Sequence, residues 1–156
     1  MRFKLGSGIA GLFLAVPVLA AQKPDPFIGT WTLDVARSRY VGAAAPKSQT
    51  AVYAVVGSGY HVTADGVDGQ GKPIHVEYTA NFDGKEYPVT GSTDYDMIVM
   101  KRISTTSISS MRKRGGRVVQ NVTMTVSRDG NTRTVTTNGV NAAGSKIHTV
   151  GVYHRK

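Results

Sequence analysis

Apolar and polar residues alternate with a period of two through most of the chain. The pattern is plainest from Ile74 to Phe82. Ile74, Val76, Tyr78, Ala80 and Phe82 fall on one side, and His75, Glu77, Thr79 and Asn81 on the other. Successive side chains of an extended backbone point to opposite faces, so this predicts a strand with one buried face and one wet face. Val118 to Val126 repeats the pattern, with Val118, Val122, Met124 and Val126 opposite Val119, Asn121, Thr123 and Thr125. Between such runs stand Gly57-Ser58-Gly59, Asp83-Gly84, Gly115-Gly116 and Asp129-Gly130, the residue types that tight hairpins use. About ten strands follow, at roughly 27–34, 50–56, 59–65, 74–82, 86–90, 96–103, 106–114, 117–127, 131–138 and 146–155. The one place for a helix is Asp34 to Val41, a single turn at most. Regular hairpins without long helices predict one all-β domain. The expected architecture is a single antiparallel up-and-down β-barrel of about 8–10 strands, with a β-sandwich as the alternative.

The pattern also repeats on a longer scale. Asp65-Gly-Val-Asp-Gly-Gln-Gly-Lys-Pro-Ile-His75 aligns without gaps on Asn138-Gly-Val-Asn-Ala-Ala-Gly-Ser-Lys-Ile-His148, 73 residues further on. Val62 and Thr63 recur as Val135 and Thr136. The same hairpin is therefore expected twice, in two half-sheets of about five strands each, which suits a barrel that closes on itself.

The first residues read differently. Arg2 and Lys4 precede an uncharged apolar run from Ile9 to Leu19, and Val18-Leu19-Ala20 resembles a cleavage site. This is the three-part pattern of a signal peptide, and the run is about half of what a bilayer-spanning helix needs. The expected division is a signal peptide over 1–20, a short polar lead over 21–26 and the barrel domain over 27–156. The expected location is the periplasm or the medium of a bacterium. Without residues 1–20 the chain has 136 residues and 17 Lys and Arg against 10 Asp and Glu, a net charge of +7. There is no cysteine. That excludes disulfides, a thiol nucleophile and Cys-ligated metal sites, so an exported domain must rely on packing and a closed hydrogen-bond ladder.

Phe27-Ile28-Gly29-Thr30-Trp31-Thr32-Leu33 resembles the first strand of the calycins, the lipocalins and fatty-acid-binding proteins, whose shared mark is Gly-x-Trp. Val150-Gly151-Val152-Tyr153-His154-Arg155-Lys156 resembles the last strand of the fatty-acid-binding group. The whole chain is similar to small, secreted, lipocalin-like bacterial proteins of unassigned function. The resemblance implies a barrel marked by Gly29, Trp31 and Arg155, with Arg155 packed on Trp31 as a cation–π contact of about 1 kcal/mol. It also implies a small, partly apolar ligand inside the barrel. Two features depart from the fatty-acid-binding pattern. Asp34 to Ser48 is too short for their two-helix lid, and the position where they place a carboxylate-binding Arg, two before Tyr153, is Gly151.

Inward phase on the clear strands gives Tyr53 (or its neighbour Val52), Val76, Tyr78, Phe82, Met124 and Tyr153 as cavity candidates. The two tyrosines Tyr78 and Tyr153 combine an apolar ring with a hydroxyl that could orient a polar ligand end. Basic residues form a second candidate. Arg112, Lys113, Arg114 and Arg117 surround one hairpin tip, with Lys101 and Arg102 on the preceding strand. Such a knob suits an acidic partner or an anionic surface, and the alternative function is an envelope interaction module built on hairpin 112–117. It lacks the interleaved aromatics of nucleic-acid platforms, and no nucleic-acid partner is expected. His75 and His148 lie on polar faces and read as surface residues, not as a metal site. Asp94 and Asp96 read as a polar turn. No nucleophile elbow, phosphate loop or zinc-protease motif occurs, so no catalytic residue, cofactor or metal is assigned.

Overall fold

A computed structural model describes residues 23–156. The signal segment and the first two residues of the polar lead lie outside the described residues. Ten strands follow in order: β1 (Gly29–Val41), β2 (Ser48–Val56), β3 (Gly59–Val67), β4 (Pro73–Asn81), β5 (Glu86–Thr90), β6 (Met97–Ser104), β7 (Ser107–Arg114), β8 (Arg117–Val126), β9 (Thr132–Val140) and β10 (Lys146–Arg155). Each pairs antiparallel with its sequence neighbours, and β1 also pairs with β10, which closes the barrel. Closure excludes the sandwich. It also removes the exposed sheet edges through which strands aggregate. The hairpin glycines behave as the turn chemistry requires. At the β7–β8 tip both Gly115 (φ 56°) and Gly116 (φ 78°) are left-handed, the pair of positive angles of a type I′ turn.

The inward faces meet in one core. Phe27, Trp31, Tyr60, Ile98, Met100, Ile108 and Val122 are buried to 2% exposure or less. Burying a side chain such as Ile108 or Met100 contributes about 1.5–3 kcal/mol.

Two local expectations differ from the structure. Asp34 to Val41 is not a helical turn, because β1 runs on through it with a bulge against β10 between Asp34 and Arg39. The local signal was real but it serves a bulge. Asp34 Oδ1 accepts from the Arg37 amide (3.0 Å), as an N-cap would, and the Ser38 hydroxyl donates to the Asp34 carbonyl (2.6 Å). Long-range pairing with β10 then takes the chain onward. On β8 the inward set is Gln120, Val122, Met124 and Val126, while Val118 is exposed and Val119 packs against the core. A register shift against β7, between Arg112 and Lys113, breaks the period there.

The repeated segments form equivalent hairpins. Asp65 is opposite His75 and Asn138 opposite His148, and each pair is joined at 2.6 Å. The loops match as well: Asp68 N donates to Lys72 O as Asn141 N donates to Ser145 O. The shared glycines have a steric cause. A Cβ on Gly66 would stand 2.1 Å from the Ser48 carbonyl, and one on Gly139 2.0 Å from the Val119 carbonyl. Each half-barrel thus needs a bare backbone where the adjoining strand crosses closely.

Candidate functional site

The two ends of the barrel differ. One is a sealed floor. Asp25, from the polar lead, accepts hydrogen bonds from Tyr60 (2.5 Å) and Arg102 (2.6 Å) through Oδ2 and from the Phe27 amide (3.1 Å) through Oδ1. Arg102 also bonds the Tyr60 hydroxyl and lies over the rings of Phe82 (4.5 Å), Tyr60 (5.4 Å) and Phe27 (5.5 Å). Burial and the Asp25 carboxylate hold the Tyr60 hydroxyl far above its ordinary pKa, so it stays a donor. Phe82 therefore belongs to the floor and not to a cavity wall. Sequence phase placed it on the inward face but could not say at which end of the barrel that position lay.

Above the floor sits Trp31, fully buried, its indole N–H donating to the Phe27 carbonyl at 2.9 Å. Arg155, its partner across the β1–β10 ladder, lies 4.4 Å from the ring and bonds the carbonyls of Gly130, Ile28 and Pro26. Gly29 makes room for this group, since a Cβ there would stand 2.9 Å from Arg155 Nη1.

The other face of the aromatic layer holds Arg133, an inward residue of β9. It is 1% exposed. Its guanidinium lies 4.5 Å from the Tyr53 ring, 4.6 Å from Tyr153 and 5.2 Å from Trp31. Its Nε and Nη1 are buried without a hydrogen-bond partner, and among the described residues no carboxylate lies within ion-pair distance. Sequence reading passed over this residue. The signal was its phase, because Arg133, Val135 and Thr137 share one face of β9.

Arg133 borders a chamber of about 90 Å³ walled by Tyr53, Val62, Val76, Tyr78, Met124 and Tyr153, with Ser110 and Arg112 among its polar groups. Five of the six cavity candidates, all but Phe82, are in this wall. Val52, the alternative to Tyr53, is exposed on the outer face. Gln49, Tyr95, Arg112, Val135 and Tyr153 of the chamber wall also line a mouth of about 250 Å³. The mouth is framed by the segment from Ala43 to Pro46, by Asp94 and by Gln120.

The polar groups here are unevenly satisfied. Tyr153 donates to Gln49 Oε1 (2.6 Å), so that hydroxyl is already engaged. Arg112 lies 4.5 Å from the Tyr95 ring and donates from Nη1 to Gln120 (3.0 Å), but its Nε and the Ser110 hydroxyl are buried and unpartnered. Burial pushes the hydroxyls of Tyr78 and Tyr153 well above the ordinary tyrosine range. Neutral phenols do not balance the guanidinium charge. At Gly151 a Cβ would meet the Tyr153 ring at 3.0 Å.

The basic residues do not form one patch. Lys101 and Arg102 pair with Ser109 and Ile108, at the floor end of β7, while Arg114 and Arg117 flank the tip at the mouth end. Arg102 is spent on the floor, Arg112 turns into the mouth, and Lys113 is ion-paired with Glu86. Arg117 remains exposed. The inward phase of Ile108, Ser110 and Arg112 explains the dispersal, because alternate residues of a strand face opposite sides.

His75 sits outside the barrel between Asp65 (2.6 Å) and Glu77 (3.6 Å), and Glu77 also reaches His61 (3.3 Å). Among the described residues no group of three or more His, Asp or Glu has metal-holding geometry. Asp94 and Asp96 serve separate loops, accepting from the amides of Ala142 (2.7 Å) and Gly115 (3.1 Å). A larger cleft, about 520 Å³, lies under the floor between residues 23–26 and the turns at 105–106 and 127–130. Of its charged wall residues, Arg102 and Asp25 are paired with each other, and none of its wall residues buries an unpartnered polar side-chain atom. Unpartnered buried donors occur at the chamber instead, which makes the chamber and mouth the candidate site.

No family model matches the chain, and no curated protein is similar to it. Among solved structures, the barrel is similar to a crystal structure of zebrafish ileal bile acid-binding protein complexed with cholic acid. The identity is 11%, the TM-score 0.48, and the match covers 84% of this chain and 99% of that one.

Proposed function

We propose that the mature chain is an exported, non-enzymatic protein that holds a small, partly apolar ligand at the open end of its barrel. The observation that carries this reading is a mouth of about 250 Å³ next to a chamber of about 90 Å³, the two sharing Gln49, Tyr95, Arg112, Val135 and Tyr153 in their walls. Small-molecule sites are typically a few hundred Å³, with apolar and aromatic walls and a few placed polar groups. A ligand of one or two rings suits this volume. A long acyl chain does not, because Trp31, Tyr60, Phe82 and Arg102 fill the space below. The chamber wall contains no carboxylate and no imidazole, and burial holds the Tyr78 and Tyr153 hydroxyls protonated, which makes them poor bases. Export rests on the charged start, the short apolar run and Ala20 of the sequence. The species recovered outside the cytoplasm is expected to begin at Ala21.

The alternative, an interaction module on hairpin 112–117, is weakened by the dispersal of its cations. The two readings part in a melting experiment. Ring-sized amphiphiles such as 2-naphthol should raise the Tm at saturation, since a ligand at about 100 times its Kd adds about 2.7 kcal/mol. If no such compound shifts the Tm and native mass spectrometry finds the protein empty, the ligand reading is wrong. Salt-sensitive retention on a polyanion would then favour the module.

A further inference from the structure

We infer that the ligand is an acid, and that Arg133, with Arg112 and Ser110, forms the site for its carboxylate. The inference rests on the ligand-binding reading above and names the chemistry of the ligand.

A guanidinium stays charged at any physiological pH. Buried charge is costly unless it is paired and hydrogen-bonded. Arg133 is almost wholly buried, yet two of its nitrogens have no partner and no described carboxylate pairs with it. The rings of Trp31, Tyr53 and Tyr153 offset part of the cost through their negative faces. They offer no hydrogen-bond acceptor to the open nitrogens. The neighbouring tyrosines are held neutral by burial. A methionine would fill a similar volume with no such cost, so packing does not explain a cation here.

The open donors belong to one chamber. Arg133, Arg112 and Ser110 all border the one chamber, and Arg133 Nε and Nη1, Arg112 Nε and Ser110 Oγ all lack partners. Three donor side chains and no acid at a dead end describe a receptor for an oxyanion. Tyr95, Val135 and Tyr153, which line both chamber and mouth, suit a flat apolar body. The nearest acid of the site, Asp94, stands in the outer mouth with Oδ1 bonded to Ala142, on the solvent side of the donors. The volume limits the ligand to a compact acid, with its carboxylate inside and its ring toward the mouth.

The test compares 4-fluorobenzoate with 4-fluorobenzamide on the full mature protein, by fluorine NMR titration. The two probes have nearly the same shape and differ in charge. The acid is expected to bind at least about tenfold more tightly, as charge-assisted hydrogen bonds imply. The preference should persist from about 50 to 500 mM salt, because the site is buried. Arg133→Met should abolish the preference without lowering the Tm, and Arg133→Lys should keep part of it. If the amide binds as tightly as the acid, the acid inference fails while the ligand reading stands. If neither probe nor any neutral ring compound binds, both fail. If Arg133→Met lowers the Tm and leaves the acid preference intact, Arg133 is a packing residue and the inference is overturned.

Discussion

Gly29 has no side chain because Arg155 occupies its place. Its φ of 122° and the 2.9 Å approach of Arg155 Nη1 both oppose any Cβ. Gly29→Ala should therefore destabilise the barrel by about 1–3 kcal/mol, read as a lower denaturant midpoint with an unchanged slope. The Gly-x-Trp signature is, in this chain, a steric allowance for the cation that covers the Trp. His75 offers a different residue-scale test. Its imidazole is pushed above the ordinary range, first by the hydrogen bond and charge of Asp65 and then by Glu77. A histidine whose folded pKa is raised adds stability below the unfolded value of about 6.5 and loses it as pH rises through the folded value. Asp65→Asn should lower the His75 pKa measured by NMR and shrink that loss of stability above about pH 6.5. Both groups are largely exposed, so added salt should shrink the effect as well.

At the scale of elements, β1 shows how a local signal and a long-range one are resolved. Ser38 Oγ donates to the Asp34 carbonyl (2.6 Å) and accepts from the Val152 amide (2.9 Å), so one hydroxyl ties the bulge to β10. Ser38→Ala should cost about 1–2 kcal/mol in equilibrium unfolding, since it leaves the Val152 amide without that acceptor. A neutral outcome would mean that water replaces the hydroxyl. The same strand marks the limit of what the sequence makes legible. The ten strands were legible from alternation, apolar runs and turn residues, because every ladder but the closing one joins sequence neighbours. The path after Asp34 was not legible, because it depends on β10, more than a hundred residues away. The reversal of Val118 and Val119 was hidden for a similar reason, a register shift that only the paired strand reveals. The chamber walls were legible from phase at Tyr53, Val76, Tyr78, Met124 and Tyr153. Its donors were not, because Arg112 was read with its charged neighbours and Arg133 inside a run of threonines. Alternation applied to cations as strictly as to apolar residues would have turned both inward.

At the scale of the molecule, the barrel has one end committed to stability and one left open. The floor joins the polar lead to β3, to β6 and to the turn after β4 through Asp25, Tyr60, Arg102 and Phe82, and it stands in for the disulfide that a chain without cysteine lacks. Asp25 is the group on which this depends. Asp25→Ala should lower stability by about 1–3 kcal/mol, because Arg102 then keeps its charge in a partly buried place with no acid beside it. The double variant Asp25→Ala, Arg102→Met should recover much of that loss, since removing both members of such a pair is far less costly than removing one. The mouth lies at the far ends of the strands, about 20 Å away by strand rise, and sites so separated behave additively. Both floor variants should therefore melt at altered temperatures yet show the same ligand-induced rise in Tm as the unaltered protein. A lost ligand response in the double variant, with its stability recovered, would mean that floor and mouth are coupled through the layer of Trp31 and Arg133 between them. The division of labour between the two ends would then have to be abandoned.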